Sequence, residues 1–233
     1  MKRIAGGIIA AGVGSRLVNQ NVLTPKAMIP IGGIPLIGRE LIEFANVGIQ
    51  TVTVIFNEQN AGVCSQYVKE AFPLLAINIL CKNTASSFES FYEILAGTQG
   101  THLLITTVDS IYQPGRLWAF IKHAGEIPDM SMALGVSDYI DDEKPLYISV
   151  DDKNRVTALG GNTGSRVTCG VYFLPAAFAR YGTGASFSSL RVFLCHLLDL
   201  GIEAYGFPMG KVIDVDRQED VQAAREWTET FRP

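Results

Sequence analysis

An apolar segment that leads directly into a glycine-rich loop constrains the fold of this chain more than any other feature. Residues 4–10, IAGGIIA, have the composition of a buried strand, and the loop GVGSR begins one residue later. Gly12 and Gly14 carry no side chain, so a ligand can approach the backbone N–H groups of the loop. Arg16 adds a guanidinium that can bind phosphate oxygens through two N–H groups. The segment therefore predicts a strand that ends in a polyphosphate-binding loop.

A second cation follows the loop at Lys26, directly after Pro25. A lysine ammonium is a compact charge and a guanidinium is a planar fork, so the two side chains together suit one triphosphate. A dinucleotide-binding turn does not fit, because it requires a third glycine where this chain has Leu17. A Walker loop does not fit either, because the Gly-Lys-Ser/Thr sequence is missing. A glycine-rich turn without a ligand remains the alternative interpretation.

Short apolar segments alternate with segments of helical length along the whole chain. This order is typical of α/β folds, in which a mostly parallel sheet carries helices on both faces. We expect a three-layer α/β/α arrangement in one domain over residues 1–233. The predicted strands are residues 4–10, 51–56, 76–81, 102–108, 130–136, 146–150, 155–159, 167–174 and 204–208. The predicted helices lie near residues 35–47, 61–71, 86–96, 114–124, 188–200 and 219–229.

Composition and charge exclude several classes of partner. The chain has 233 residues, of which 48% are hydrophobic and 18% charged, and its formal net charge is −4. We therefore expect no nucleic-acid partner and no membrane span, while a homo-oligomer is compatible with the sequence. The four cysteines form no Cys-x-x-Cys pair, which favours a reduced cytoplasmic protein. Cys81 and Cys169 lie in apolar runs, where a thiol behaves as a small hydrophobic group.

Three aspartates are candidates for a cation site. Asp109 follows the apolar run of residues 103–108, so we expect it at the carboxyl end of a strand beside the glycine loop. Asp214 and Asp216 lie two residues apart on an extended segment and therefore face the same way, which favours a cation between them. Asp109 is equally compatible with a turn, and Asp216 with the cap of the last helix, because Glu219 follows three residues later. Asp214 is therefore the favoured second ligand.

The run IIAAGVGSRLVNQNVLTPKAMIPIGGIPLI, residues 8–37, resembles the N-terminal signature of nucleotidyltransferases that make nucleotide sugars and related activated alcohols. The shared elements are A-A-G-x-G-x-R-L, a variable stretch, Pro-Lys and an apolar G-x-P-L. The resemblance implies a fold similar to the A-type glycosyltransferases, a nucleoside triphosphate donor and Mg²⁺. The segment VIDVDRQED resembles the magnesium-binding segment of this family, which supports Asp109, Asp214 and Asp216 as metal ligands. Asp220 is expected at the start of the last helix.

The implied reaction joins the nucleoside triphosphate to a phosphorylated acceptor and releases pyrophosphate. Positioning and electrostatic stabilisation carry such a reaction, so no nucleophilic side chain is needed. The predicted catalytic residues are Arg16, Lys26 and Asp109, and replacement of Lys26 or Asp109 by alanine is expected to abolish turnover without unfolding the protein. The residues predicted to bind the nucleotide are Ala10, Ala11, Gly12, Gly14, Ser15, Arg16, Lys26, Asn83 and Thr84.

The acceptor region departs from the pattern of the sugar enzymes, which carry Glu-Lys-Pro before a strand that ends in Gly-x-Tyr. Residues 158–175 read ALGGNTGSRVTCGVYFLP and lack that lysine, and Arg166 is the candidate replacement. Phosphocholine cytidylyltransferases, which are close relatives, also lack the element and bind a quaternary amine between aromatic and acidic groups. Candidates for such a pocket are Tyr112, Asp138, Tyr139, Asp141, Asp142, Tyr147 and Tyr172. A sugar-1-phosphate acceptor is favoured. The alternatives are phosphocholine or another small alcohol phosphate, and a nucleotide-binding relative without activity.

Overall fold

The computed structural model describes residues 2–141 and 145–231 and shows alternating strands and helices. The strands are β1 (Ile4–Ala10), β2 (Pro30–Ile31), β3 (Ile34–Pro35), β4 (Thr51–Phe56), β5 (Ala76–Cys81), β6 (His102–Thr107), β7 (Ser110–Tyr112), β8 (Met132–Ser137), β9 (Tyr147–Val150), β10 (Val156–Leu159), β11 (Arg166–Pro175), β12 (Ala204–Pro208) and β13 (Val212–Asp214). The α-helices are α1 (Ser15–Asn19), α2 (Leu36–Asn46), α3 (Ala61–Ala71), α4 (Ser87–Gly97), α5 (Arg116–Glu126), α6 (Leu190–Asp199) and α7 (Gln218–Glu229). Short 3₁₀ helices cover Lys26–Met28 and Ala176–Tyr181.

A mixed sheet forms the centre of the molecule. Strands β5, β4, β1 and β6 are adjacent and parallel, and β11 continues the sheet antiparallel to β6. Beyond β6, β11 also pairs with β9 and with β8, and β8 pairs with β12. Two small two-stranded sheets lie outside this one, formed by β2 with β3 and by β7 with β13.

Helices cover both faces of the sheet, as expected for three layers. Side chains of α2, α3, α5 and α7 pack against one face, and side chains of α4 and α6 pack against the other. Successive side chains of β6 point to opposite faces of the sheet. Leu104 therefore packs in the core on the first face, and Leu103 and Ile105 pack in the core on the second. The predicted α/β/α arrangement is therefore confirmed.

The predicted elements are confirmed to within two residues at either end. Local signals account for this agreement. The hydroxyl oxygen of Ser86 accepts from the backbone N–H of Glu89 at 3.2 Å, and the Glu89 carboxylate accepts from Ala85, so α4 begins where the capping pattern predicts. In the described part of the chain, no helix is long and apolar enough to cross a lipid bilayer.

Two local predictions were wrong. Asp216 does not cap α7, because Arg217 is the N-cap residue and the Asp220 carboxylate accepts from the backbone N–H groups of Asp216 and Arg217. The expected position of Asp220 at the helix start is confirmed. Cys81 is exposed at the end of β5 and is not a buried hydrophobic group, whereas Cys169 is buried as expected.

Replacement of Glu40 by glutamine is expected to weaken the pH dependence of stability. Glu40 is 2% exposed, and burial, which the Tyr112 hydroxyl opposes only in part, raises its pKa from 4.5 to about 8. Between these two values the unfolded chain releases the proton that the folded chain keeps, so the free energy of unfolding falls as pH rises. The total loss is on the order of 4 kcal/mol.

Urea unfolding at pH 5 and pH 8.5 measures this effect. The parent protein should lose on the order of 4 kcal/mol more than Glu40→Gln between these conditions. Equal losses in both proteins would show that Glu40 carries the same charge in the folded and the unfolded states.

Candidate active site

A cleft opens beyond the carboxyl end of β6, next to the point between β1 and β6 where the order of the strands changes direction. After β1 the chain adds β4 and β5 on one side of it and then returns to add β6 on the other. Such a switch point leaves a crevice outside the strand ends, where α/β proteins bind ligands. The volume of the cleft is about 430 Å³. Its lining residues are Ser87, Thr107, Asp109, Leu146, Thr168, Gly170, Tyr172, Ser189, Leu190, Arg191, Asp214 and Asp216.

The glycine-rich loop connects β1 to α1 and packs against Lys26. Gly14 precedes α1 with a φ of 64°, and a Cβ atom there would lie 3.2 Å from the Cβ atom of Lys26. Both the conformation and the close approach therefore favour glycine at this position. A Cβ atom on Gly12 would meet no heavy atom within 4 Å, so space lies beside the backbone of the loop. Ser15 is exposed at the start of α1.

Lys26 brings three of the predicted site residues together. Its Nζ atom donates to Asp109 Oδ2 at 2.5 Å and to Asp216 Oδ1 at 2.6 Å. Arg16 Nη1 donates to Asp216 Oδ2 at 2.8 Å. Burial alone would lower the pKa of Lys26, but the two carboxylates outweigh it and raise that pKa above its ordinary value. Lys26 is thus a fixed positive charge between the loop and the aspartates.

The pKa of Asp109 follows the same balance of effects. Its enclosure by protein would raise the pKa of the carboxyl group, but the charge and hydrogen bond of Lys26 lower it below its ordinary value. Asp109 therefore carries a full negative charge at neutral pH. Asp109 follows the end of β6 by two residues and binds Lys26 beside the glycine loop, as expected for a residue at the carboxyl end of that strand.

Asp214 lies at the end of β13, close enough to Asp109 for their charges to interact. Strand β13 pairs with β7, with Asp214 opposite Ser110, and the Ser110 hydroxyl donates to Asp214 Oδ1 at 2.8 Å. The Thr107 hydroxyl forms a hydrogen bond of 2.9 Å with Ser110. The surrounding protein and the charge of Asp109 raise the pKa of Asp214 above its ordinary value, while the side chain keeps its exposure to solvent in the cleft. Asp214 and Asp216 line the same cleft, as predicted from their spacing.

Gly170→Ala is expected to destabilise the protein and to disturb the cleft. Gly170 has a φ of 73°, and its Cβ position collides with the hydroxyl oxygens of Thr107 and Ser110. The conformation and the overlap together should cost about 2–4 kcal/mol of unfolding free energy. Displacement of Ser110 from Asp214 should lower turnover about tenfold.

Thermal unfolding and steady-state rates measure both effects. Gly125→Ala in α5 is the matched control, because an added Cβ atom there meets nothing within 4 Å and alanine suits a helix better than glycine. If Gly170→Ala were as stable as the parent, β11 would be able to move away from the two hydroxyl groups at little cost.

Ala10, Ala11 and a residue that the sequence analysis missed hold the base of the glycine loop. Ala10 ends β1, and Ala11 follows it in a buried position. Asn57, 2% exposed, donates from Nδ2 to the carbonyl oxygen of Ala11 at 3.2 Å. Asn57 comes directly after β4, a parallel strand of the same sheet. The rule that singled out Asp109 at a strand end could therefore have found Asn57 as well.

Asn83 and Thr84 follow β5, but other protein groups bind their side chains. Asn83 Nδ2 donates to Glu58 Oε2 at 2.9 Å, and Asn83 Oδ1 accepts from the Glu58 backbone N–H at 3.1 Å. The Thr84 hydroxyl forms a hydrogen bond of 2.6 Å with Ser90. A nucleobase in this region would therefore meet backbone groups, or would displace Glu58.

The predicted acceptor residues Tyr139 and Asp141 lie at one end of the cleft. With Asp214 they line a recess of about 30 Å³. The Tyr139 hydroxyl donates to Asp141 Oδ2 at 3.2 Å, and Lys211 Nζ lies 4.6 Å from the centre of the Tyr139 ring. The carboxylate of Asp141 and the ring of Tyr139 therefore lie beside Asp214, which lines both the recess and the cleft.

The other acceptor candidates are distributed more widely. Tyr172 lines the cleft, but Tyr112 is buried against α2, where its hydroxyl donates to Glu40 Oε2 at 3.0 Å. Asp138 is exposed, and Tyr147 packs against Gly164. Asp142 lies outside the described residues. Arg166 lies at the start of β11, opposite Ile148 of β9. Arg191, which the sequence analysis missed, brings positive charge to the cleft from the first turn of α6.

The candidate metal ligands are close together but do not form a complete cage. Among residues 2–141 and 145–231, no group of three or more His, Cys, Asp or Glu side chains is arranged to hold a metal ion. Asp109 and Asp216 both bind Lys26, and Asp214 binds Ser110. The structure thus distinguishes the two candidates for the second metal ligand. Asp216 binds the cations Arg16 and Lys26, whereas Asp214 binds the neutral hydroxyl group of Ser110.

Known proteins resemble this chain in sequence and in fold. A 2-aminoethylphosphonate cytidylyltransferase of Lancefieldella rimae is 27% identical over 116 residues, which cover 46% of each protein, so the match spans about half the length of that relative. The inositol-1-phosphate CTP transferase of T. maritima has a TM-score of 0.81 at 18% identity and covers 100% of this chain and 98% of its own. A Bacillus anthracis protein described as a glucose-1-phosphate thymidylyltransferase has a TM-score of 0.82 at 15% identity, with coverages of 99% and 97%.

The two structural neighbours show that the fold is that of the nucleotide-diphospho-sugar transferases. A family model described as the MobA-like NTP transferase domain matches residues 6–170, which include the glycine loop, Lys26 and Asp109. The chain therefore belongs to the MobA-like NTP transferase domain family.

Proposed function

We propose that this protein is a Mg²⁺-dependent cytidylyltransferase that transfers CMP from CTP to a small phosphorylated or phosphonylated acceptor and releases pyrophosphate. The observation that carries the proposal is the juxtaposition of Lys26 with Asp109 and Asp216 at the mouth of the glycine loop. A fixed cation beside carboxylates suits a triphosphate that arrives with a divalent metal ion. No nucleophilic side chain is required.

The choice of CTP rests on the relatives. Two of the three reported above, one matched by sequence and one by fold, are named as enzymes that use cytidine nucleotides. The third is named for a thymidine nucleotide, which is also a pyrimidine. We therefore infer that the region after β5, near Asn83 and Thr84, accommodates a pyrimidine base.

The residues present fit a Mg²⁺ ion. Asp109 and Asp214 offer carboxylate oxygens to one cleft, and the charge of Asp109 contributes to the raised pKa of Asp214, a repulsion that a cation would relieve. Mg²⁺ commonly takes one or two protein carboxylates and completes its coordination with water and substrate phosphates. Asp109 and Asp214 would hold the ion, which would neutralise phosphate charge during the transfer.

The protein's own residues then position the reactants. The glycine loop offers backbone N–H groups and Arg16 to the β- and γ-phosphates, and Lys26 offers its charge to the α-phosphate. An acceptor oxygen attacks the α-phosphorus in line, a new P–O bond forms, and the bond to the bridging oxygen breaks as pyrophosphate leaves. The attacking oxygen is already an anion, so no general base is needed.

The recess at Tyr139, Asp141 and Asp214 favours a small acceptor that carries an ammonium group. Its described lining residues include two carboxylates, and the Tyr139 ring already has the Lys211 ammonium 4.6 Å from its centre. An aromatic ring with carboxylates is the usual environment of an organic ammonium. The acceptor of the Lancefieldella rimae relative, 2-aminoethylphosphonate, carries an amine. A sugar-1-phosphate is the second candidate, because the B. anthracis structural neighbour is named for one.

Pyrophosphate release tests the proposal. Purified protein with Mg²⁺ is supplied with CTP, UTP, dTTP, ATP or GTP, each paired with 2-aminoethylphosphonate, phosphocholine, phosphoethanolamine, inositol-1-phosphate or glucose-1-phosphate. We expect release with CTP and one of the three amine acceptors, and none after Mg²⁺ is removed by a chelator. Asp141→Asn should then raise KM for the amine acceptor and leave KM for CTP unchanged.

The remaining outcomes separate the alternatives. Release with a hexose or inositol phosphate would overturn the ammonium acceptor and keep the nucleotidyltransferase. Binding of a triphosphate without any release, and without a need for Mg²⁺, would favour a nucleotide-binding protein that lacks turnover.

A further inference from the structure

The aspartates of the cleft depend on a very small piece of sheet. Strands β7 and β13 have three residues each, and among the described strands each pairs only with the other. Asp214 ends β13, and Asp109 immediately precedes β7, with its carbonyl oxygen accepting from the Val215 backbone N–H at 3.0 Å. A two-stranded ribbon of this length is not stable alone. Its position, and that of both carboxylates, therefore depends on side chains that attach it to the rest of the fold.

The ribbon formed by β7 and β13 is attached at both ends. At the end that carries the carboxylates, the Thr107 hydroxyl forms a hydrogen bond with the Ser110 hydroxyl, which donates to Asp214. At the other end, Tyr112 is opposite Val212, and its hydroxyl donates to Glu40 Oε2 at 3.0 Å. Tyr112 is 6% exposed, so this hydrogen bond lies in the protein interior, where loss of a partner is costly.

Glu40 is an unusual residue to find at this place. It lies in the middle of α2 and is 2% exposed. The groups that face it are the hydroxyl of Thr106 on β6, that of Tyr112 on β7, the carboxyl of Glu43 on its own helix, and more distantly Asp109. Arg39 donates to the carbonyl oxygen of Ile31, and no ion pair to Glu40 occurs in the described chain. Burial of an unpaired carboxyl group is costly, so a role for it is expected.

A cavity lies beside the hydrogen bond between Tyr112 and Glu40. The cavity measures about 250 Å³ and is lined by residues of α2 and β7, among them Glu40, Glu43 and Tyr112. Packing on this side therefore leaves the Tyr112 ring room to move, and the hydrogen bond to Glu40 restrains it.

We propose that Glu40 is a positioning residue for nucleotidyl transfer: its hydrogen bond with Tyr112 holds the β7–β13 ribbon and thereby the separation of the Asp109 and Asp214 carboxylates. This inference rests on the proposed function. Glu40 does not touch the substrates, because its carboxyl group lies between α2 and β7 and does not line the catalytic cleft.

Four variants test the proposal. Glu40→Leu removes the acceptor of the hydrogen bond, and Tyr112→Phe removes its donor. Glu40→Gln keeps an acceptor for the Tyr112 hydroxyl. Glu43→Gln is the control, because Glu43 lies on the same helix and lines the same cavity. We measure kcat, KM for CTP and acceptor, and the affinity for Mn²⁺ by calorimetry. Glu40→Leu and Tyr112→Phe should lower kcat and Mn²⁺ affinity about tenfold each, with KM for CTP nearly unchanged. Glu40→Gln and Glu43→Gln should resemble the parent.

The double variant Glu40→Leu/Tyr112→Phe should be no slower than the slower single variant, because both remove one interaction. Parent-like kcat and Mn²⁺ affinity in Tyr112→Phe would overturn the inference, even if Glu40→Leu does not fold. The inference would also be overturned if Glu40→Gln lowered kcat and Mn²⁺ affinity as much as Glu40→Leu does. A parent protein without pyrophosphate release would reject the proposed function instead, and the Mn²⁺ comparison of the parent with Tyr112→Phe would still decide the role of Glu40.

Discussion

Lys26→Met is expected to lower turnover about 10³-fold and the free energy of unfolding by about 2–4 kcal/mol. The catalytic loss follows because methionine keeps the length of the side chain and removes the charge that faces the α-phosphate. The loss of stability follows from the environment of Lys26, which is 8% exposed and binds both Asp109 and Asp216. Sequence reasoning predicted no effect on folding, because it did not place the lysine in the interior.

The size of the stability loss reflects the exposure of the partners. Removal of one member of a fully buried ion pair costs about 3–5 kcal/mol. Asp109 and Asp216 retain 24% and 39% of their side-chain exposure, so water screens part of the charge that Lys26→Met leaves unpaired.

Urea unfolding and pyrophosphate release measure the two effects of Lys26→Met separately. Lys69→Met is the control, because Lys69 is exposed at the end of α3. The double variant Lys26→Met/Asp216→Asn should recover part of the lost stability, since it removes one unpaired charge, but it should recover no turnover. A folded Lys26→Met protein with parent-like turnover would refute the assignment of Lys26 as a catalytic residue.

Asp109→Asn and Asp214→Asn should each lower Mg²⁺-dependent turnover by about 10³-fold, whereas Asp216→Asn should lower it only about tenfold. An amide has the shape of a carboxylate but not its charge, so it binds a hard cation far more weakly. Asp216 is bound by Arg16 and Lys26, so its loss should act through those two cations and raise KM for the nucleotide.

Mn²⁺ affinity by calorimetry, measured together with turnover, distinguishes the three aspartates. The control is Asp129→Asn, because 81% of the Asp129 side chain is exposed, at a surface contact with Lys2. If Asp216→Asn abolished Mn²⁺ binding and Asp214→Asn did not, the second metal ligand would be Asp216, and the preference for Asp214 would be wrong.

Local patterns in the sequence predicted the long elements of the fold well. The parallel strands β1, β4, β5 and β6 are short apolar runs between helices of regular periodicity, and the capping box at Ser86 defines the start of α4. These signals lie within a few residues of one another, so no knowledge of distant parts of the chain is needed to interpret them. The glycine loop and Asp109 were found in the same way, as the residues that follow predicted strands.

The elements that were not predicted are those without a local signal. Strands β7 and β13 have three residues each and exist because Ser110–Tyr112 meets Val212–Asp214 across about one hundred residues of chain. The environment of Tyr112 was equally inaccessible. Its aromatic ring suggested the acceptor pocket, but the packing of α2 against β7 places it beside Glu40.

The sequence by itself determined the order of the longer strands and helices, the glycine loop and the positions along the chain of Arg16, Lys26, Asp109 and Asp214. Only the tertiary structure decided which charges meet. Lys26 binds Asp109 and Asp216 from 83 and 190 residues away. The physical reason is that helix and strand formation depends on neighbours along the chain, whereas an ion pair depends on where packed elements bring distant side chains. For Asp216, whose local spacing suggested a helix cap, packing placed two cations opposite the carboxylate.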